Sequence, residues 1–391
     1  MPSKSNKRVK NSPGLRLEDE TKSCDTPKTH MLTLETLGRK GFLTFPPELV
    51  YMIFSYYAEI RIEDILVNPI FLPGHFLDRF KVLRSLSQLC QLSRKIYLPL
   101  LYERLQICIT TKPAWYREHG NNLIRKCNGL LKSQHLWPYI RTITVCFTRF
   151  ETNRVLPLFV QLLKALPNVR TLEVPHAHGW MTSIFKRHFE GNIFPTIQKV
   201  VMPTCAHEIL RCCPGIRDVT CNEGDGGTLV SAVVSTGGSN LEAMSAIVTG
   251  PVHMKRLLKA NPPLKRVRLA FGMKNPENLI QSFSKFPTLR TIEIESANGD
   301  VDDIVKVASD TLRACAEYPV GGSKKEQSRK EAAITHPSFS NSNDSEVSSE
   351  ERVVRVFLYD RPWLPCSLRE RWTEEGVARF VPVEIKEFLV S

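Results

Sequence analysis

Pro167-Asn168-Val169-Arg170-Thr171-Leu172-Glu173-Val174 is one copy of a pattern that recurs along the middle of the chain. A proline is followed one or two residues later by an aliphatic, and that by aliphatics three and five positions on. Upstream it reads Pro138-Tyr139-Ile140 with Ile143 and Val145. Downstream it reads Pro195-Thr196-Ile197 with Val200 and Met202, then Pro214-Gly215-Ile216 with Val219 and Cys221. It returns as Pro263-Leu264 with Val267 and Leu269, and as Pro287-Thr288-Leu289 with Ile292 and Ile294; a copy without proline has Leu241, Met244 and Ala246. One such unit cannot bury its apolar face alone, so the units must stack into a solenoid, an architecture that mostly serves binding.

The first aliphatic of each copy stands at 140, 169, 197, 216, 241, 264 and 289, so successive copies are 19 to 29 residues apart. The last two aliphatics alternate with other residues, which is the period of a strand. Between copies the apolar spacing is helical. Leu156, Phe159, Leu162, Leu163 and Leu166 mark one stripe, Leu279, Phe283 and Phe286 another, and Ile304, Val307, Ala308, Leu312 and Cys315 a third. The proline closes each helix, because it lacks a backbone donor and drives the residue before it to extended geometry. Strand, loop, helix, loop at this period resembles an irregular leucine-rich-repeat domain over residues 106–320. The resemblance implies an α/β fold with parallel strands on a concave side and helices outside. Alternation then puts Thr142 and Thr144, Thr171 and Glu173, Lys199 and Val201, Asp218 and Thr220, Ala243 and Ser245, Arg266 and Arg268, and Thr291 and Glu293 on the open inner face. A basic rung, Arg266 and Arg268, beside an acidic one, Glu293 and Glu295, is the candidate partner face.

Residues 41–105 follow another pattern. Phe45-Pro46-Pro47-Glu48-Leu49-Val50-Tyr51-Met52-Ile53-Phe54 reads as a helix opened by prolines, with Glu48 near its positive end. Leu83, Leu86, Leu89 and Cys90 make a second stripe, and Leu98 to Leu105 leads into the strand Gln106-Ile107-Cys108-Ile109. This stretch resembles an F-box, the helical module that docks onto the Skp adaptor of cullin–RING ubiquitin ligases. Phe45-Pro46-Pro47-Glu48-Leu49 matches the family's opening leucine-proline-x-glutamate-leucine run, Ile53 its isoleucine, and Leu89-Cys90 its valine-cysteine pair. Ser93 stands where the family usually has an aromatic residue, and the connection from Ala58 to Arg79 is longer than usual. Divergent leucine-rich repeats after such a box are common in fungal members. The resemblance implies adaptor contacts at Pro46, Leu49, Ile53, Leu86 and Leu89. It implies a substrate-recognition subunit of an SCF-type ligase, with a Skp-family adaptor, a cullin complex and an unknown protein substrate as partners. A second reading makes the helical module only a cap on the apolar end of the repeats, in a binding scaffold with no ligase link.

The chain has 391 residues, 42% of them hydrophobic, with no apolar stretch of membrane-spanning length. Residues 1–40 and 321–351 are polar and are expected to be disordered. Val353 to Leu358 fits the repeat template again, so 352–391 reads as a terminal repeat and C-terminal cap containing Trp363, Trp372, Phe380 and Phe388. Eleven scattered cysteines suggest free thiols and a cytoplasmic or nuclear location. A net charge of +13 invites a nucleic-acid partner, but the charges are diffuse and no zinc-finger or RNA-sheet spacing accompanies them. Cys205, His207, Cys212, Cys213 and Cys221 lack paired chelating spacing and read as core, and Gly224-Asp225-Gly226-Gly227 has no phosphate-loop context. His176-Ala177-His178-Gly179-Trp180 reads as an outer loop. No hydrolase motif is present, so neither an enzyme nor a metal nor a cofactor is expected.

Overall fold

The computed structural model describes residues 45–60, 74–109, 115–247, 251–269, 276–296, 301–317, 351–358 and 384–390. Of the described residues, 45–49 belong to one unit and those from Val50 onward to a second. The expected tail over 1–40 lies outside the described residues. So do all but Glu351 of the expected insertion over 321–351, and Trp363, Trp372 and Phe380.

The chain builds one ten-stranded sheet whose strands lie in sequence order. They are β1 (Arg104–Ile107), β2 (Thr142–Val145), β3 (Thr171–Glu173), β4 (Lys199–Met202), β5 (Asp218–Cys221), β6 (Ala243–Ser245), β7 (Arg266–Leu269), β8 (Thr291–Ser296), β9 (Arg352–Leu358) and β10 (Glu384–Val390). Pairing is parallel from β1 to β9, and β10 returns antiparallel on β9. Among the described residues three α-helices precede β1: α1 (Pro47–Ser55), α2 (Asp78–Ser87) and α3 (Gln91–Glu103). Among the described residues each crossover then carries one α-helix: α4 (Trp115–Leu131), α5 (Thr152–Ala165), α6 (Thr182–Phe189), α7 (His207–Leu210), α8 (Gly227–Ser235), α9 (Pro251–Ala260), α10 (Pro276–Ser282) and α11 (Asp302–Glu317). Parallel neighbours require such a crossover.

Register follows from the repeat. Ile143, Leu172, Val200, Val219, Met244, Val267 and Ile292 are consecutive partners across β2 to β8. All seven are buried, as are the seven aliphatics that open the copies. They share one core with Leu156, Phe159 and Leu162 of α5, and with Ala308, Leu312 and Cys315 of α11. Each such side chain contributes about 1.5–3 kcal/mol on burial, more than the net 0.5–1.5 kcal/mol of a ladder hydrogen bond. Slipping one strand by one residue would turn its whole apolar set outward, so packing sets the register.

A second regularity lies just before each strand. The carbonyl of Arg141 accepts from the amides of Arg170 and Thr171 at 2.8 and 3.1 Å. The carbonyls of Arg170, Gln198, Arg217, Glu242 and Lys265 repeat this with the next unit. These residues therefore stack in one column. The shortest unit, between Ile197 and Ile216, carries only the four-residue α7. There a Cβ on Gly215 would stand 2.5 Å from the Pro195 carbonyl oxygen, so the missing side chain lets two units close up.

Candidate functional site

Two surfaces carry the candidate residues, and the first is the sheet face opposite the helices. Thr144, Glu173, Val201, Thr220, Ser245, Arg268, Glu293 and Arg355 are successive partners on this face. Alternation predicts an open, solvated row. Instead all but Arg355 are buried. Part of the cover is the chain's own. Ile60 and Phe76, at the two ends of the long connection, form an apolar cluster with Cys108, Cys146 and Val201. Glu59 beside them pairs with Arg79 at 2.7 Å and Arg104 at 3.3 Å, edging a small recess.

Burial sets the chemistry of this row. The Thr144 hydroxyl donates to Glu173 Oε2 at 2.6 Å. Burial lifts the Glu173 carboxyl above its ordinary range, while that hydrogen bond and the charges of Arg104 and Lys199 pull it back down. The expected partner-face residues are placed on or beside the row and meet other residues of the same chain. Arg266 reaches Asp218 at 3.2 Å, and Lys199 reaches the same oxygen at 3.4 Å. Arg268 pairs with Glu295 at 2.8 Å and lies 4.5 Å from the centre of the Phe357 ring. Glu293 faces Arg355 at 3.6 Å, and Arg355 also reaches Glu387 at 2.7 Å. These charges pair laterally in three groups across β4, β5, β7, β8, β9 and β10.

The second surface is the helical segment. In the first unit, Phe45, Pro46 and Leu49 are exposed, and Leu49 donates its amide to the Pro46 carbonyl at 3.0 Å in the opening turn of α1. In the second unit the apolar side chains divide. Val50, Phe54, Leu83, Tyr97 and Leu101 are buried. Tyr51, Met52, Tyr56, Leu89 and Leu92 remain uncovered, at 57%, 54%, 83%, 70% and 48% exposure. Ile53 and Leu86 are half-buried between these two sets. Ser93 is fully buried and donates its hydroxyl to the Leu86 carbonyl, tying α3 to the end of α2; Cys90 Sγ caps α3 by accepting from the Ser93 amide at 3.4 Å. A small hydroxyl at 93 thus holds the helix pair where an aromatic ring would need room.

Cys212, Cys213 and Cys221 are buried, and burial pushes the Cys212 thiol up to about 11. Among the described residues no cluster of His, Cys, Asp and Glu has a geometry that could hold a metal, and no helix is long and apolar enough to cross a membrane. The glycine-rich loop leads into α8, with the Gly226 amide on the Thr204 hydroxyl at 3.0 Å. His178 Nδ1 accepts from the Trp180 amide at 3.3 Å, and the Arg149 guanidinium lies 5.2 Å from the centre of the exposed Trp180 ring. The pre-strand column of charges is a further surface feature, legible as the residue after the first aliphatic of each copy. No protein-family model matches the chain, and no curated protein matches it.

Proposed function

We propose that this chain is a substrate-recognition subunit of a cullin–RING ubiquitin ligase. The helical segment resembles an F-box and would dock onto a Skp-family adaptor. The βα units, which resemble divergent leucine-rich repeats, would hold a protein substrate. The subunit supplies no bond-making group; it makes ubiquitin transfer effectively intramolecular by holding the acceptor close. The observation that carries this reading is the uncovered apolar set at Tyr51, Met52 and Leu92 on α1 and α3 and at Tyr56 and Leu89 in the turns that follow α1 and α2, while Val50, Phe54, Leu83, Tyr97 and Leu101 of the same helices are packed. Large apolar side chains left exposed mark protein contacts where they adjoin. Leu49 and Pro46, exposed at the start of α1, fit the same use.

Co-purification of the full chain with a Skp-family adaptor tests this. The wild type should give a stoichiometric complex. The paired substitutions Met52→Asp and Leu89→Asp should weaken capture about thirtyfold or more, the size expected when an interface hot spot is lost. Both residues are exposed, so the melting temperature should hold. No complex from folded wild-type protein would leave the scaffold reading. That reading draws on Leu98 and Tyr102 of α3, which pack against the main core as a cap would.

A further inference from the structure

Apart from the inner row, whose charges meet one another, a second set of cations lines the rim formed by the N-terminal strand ends. The pre-strand column reads Arg141, Arg170, Gln198, Arg217, Glu242, Lys265, Arg290 and Arg352. The backbone ladder fixes these residues side by side, at the strand spacing of about 4.8 Å, over about 34 Å from β2 to β9. Arg141, Arg170, Arg217 and Lys265 are exposed, and Arg290 and Arg352 half-buried. Six cations share the column with one carboxylate, Glu242, which meets Arg217 at 3.6 Å and Lys265 at 3.4 Å. Among the described residues no carboxylate lies within ion-pair distance of Arg141 or Arg170. Burial, and then the charge of Arg290, hold Arg352 below the usual guanidinium range, as expected where like charges crowd.

The helices run back toward the same rim. Their last turns add Lys164 from α5, Lys186 and Arg187 from α6, and Lys259 from α9. Glu103, Glu190 and Glu317 are carboxylates at these helix ends. Attraction to helix C-termini accounts for the helical lysines at about 0.3–1 kcal/mol each. It does not account for the column, which begins strands. Like charges one strand apart destabilise the fold, so the column is not explained by stability.

We propose that this rim is the docking surface for an extended acidic segment of a protein, lying across the strand ends and offering carboxylates to Arg141, Arg170, Arg217 and Lys265. A guanidinium matches a carboxylate fork, and an extended chain crossing the strands meets each cation in turn. A nucleic acid fits less well. Its unbroken phosphate line would face Glu242, where a peptide can place a neutral or basic residue. The residue before each of Arg141, Arg170, Arg217, Lys265 and Arg290 is a buried aliphatic, which offers no ring for a base to stack on, and Glu351, before Arg352, adds a second carboxylate at that end. If the receptor reading holds, the rim names acidic protein segments as the substrate class; the binding itself does not require the adaptor.

The test is fluorescence anisotropy of the full chain with a fluorescein-labelled peptide of alternating Glu and Ser, about twelve residues long so that it spans the rim. The controls are the same peptide with Gln for Glu, and an oligothymidylate of equal charge. The Glu peptide should bind, the Gln peptide should not, and rising salt should weaken binding. Arg141→Ser with Arg170→Ser should cost roughly five- to tenfold in affinity with an unchanged melting temperature. Adaptor capture by this variant should also stay unchanged, so failure of the rim and failure of the docking helices are read separately. Equal binding of both peptides, or undiminished binding by the variant, overturns the proposal. Tighter binding of oligothymidylate than of the Glu peptide, lost in the variant, overturns it in favour of a nucleic-acid surface.

Discussion

His119 on α4 is 1% exposed, and its imidazole is held at about 4, below its ordinary 6.5. Burial is the main cause, and the neighbouring His176 adds to it. The ring is therefore neutral in the fold, while the unfolded chain takes up a proton as pH falls through about 6.5. Stability from this residue is complete above that value and is lost as pH falls from about 6.5 to about 4, for a total of about 3 kcal/mol. Urea midpoints across this window should fall more steeply in the wild type than in His119→Gln; parallel curves would show that the ring is protonated in the native state. Nothing in the sequence marks His119, because a lone histidine on a helix looks the same whether its face is covered or wet. Arg266 shows the same limit. Its pairing with Asp218 crosses 48 residues and needs two registers, β5 on β6 and β6 on β7.

At the scale of elements, far more could be read in advance. The seven aliphatic triplets form the strands and their buried column, because period two and period 3.6 patterns report directly on which face is covered. What covers the opposite face is not encoded by alternation. Ile60 and Phe76 lie outside any repeat, so their place over β1 to β4 emerges only from tertiary packing. Close approach between units is likewise a tertiary demand, visible at Gly215. Gly215→Ala should force the Pro195 carbonyl aside and cost about 1–3 kcal/mol, as overpacking does. A lowered urea midpoint with an unchanged m-value checks this. An unaffected midpoint would mean that the α7 unit has slack.

For the whole molecule, stability should vary along the sheet. Strands β3 to β7 each have two parallel partners and a packed helix on either side in sequence. β10 pairs only with β9 among the described strands, and its Ile385 and Leu389 are exposed. Amide hydrogen exchange should therefore be slowest in β3 to β7 and fastest, within the sheet, in β10. Equal protection throughout would show a single cooperative block.

Because each strand pairs with the next strand in the chain, nearly every contact that defines the sheet is made over one crossover. No strand must wait for a distant part of the polypeptide to find it. From β2 to β8, assembly can begin at any well-packed pair of units and spread outward by small, similar steps, each closing a loop of modest length. The same order makes the molecule tolerant of change. A unit can be lengthened, shortened as at α7, or given new surface charge, and only its two neighbours register the difference.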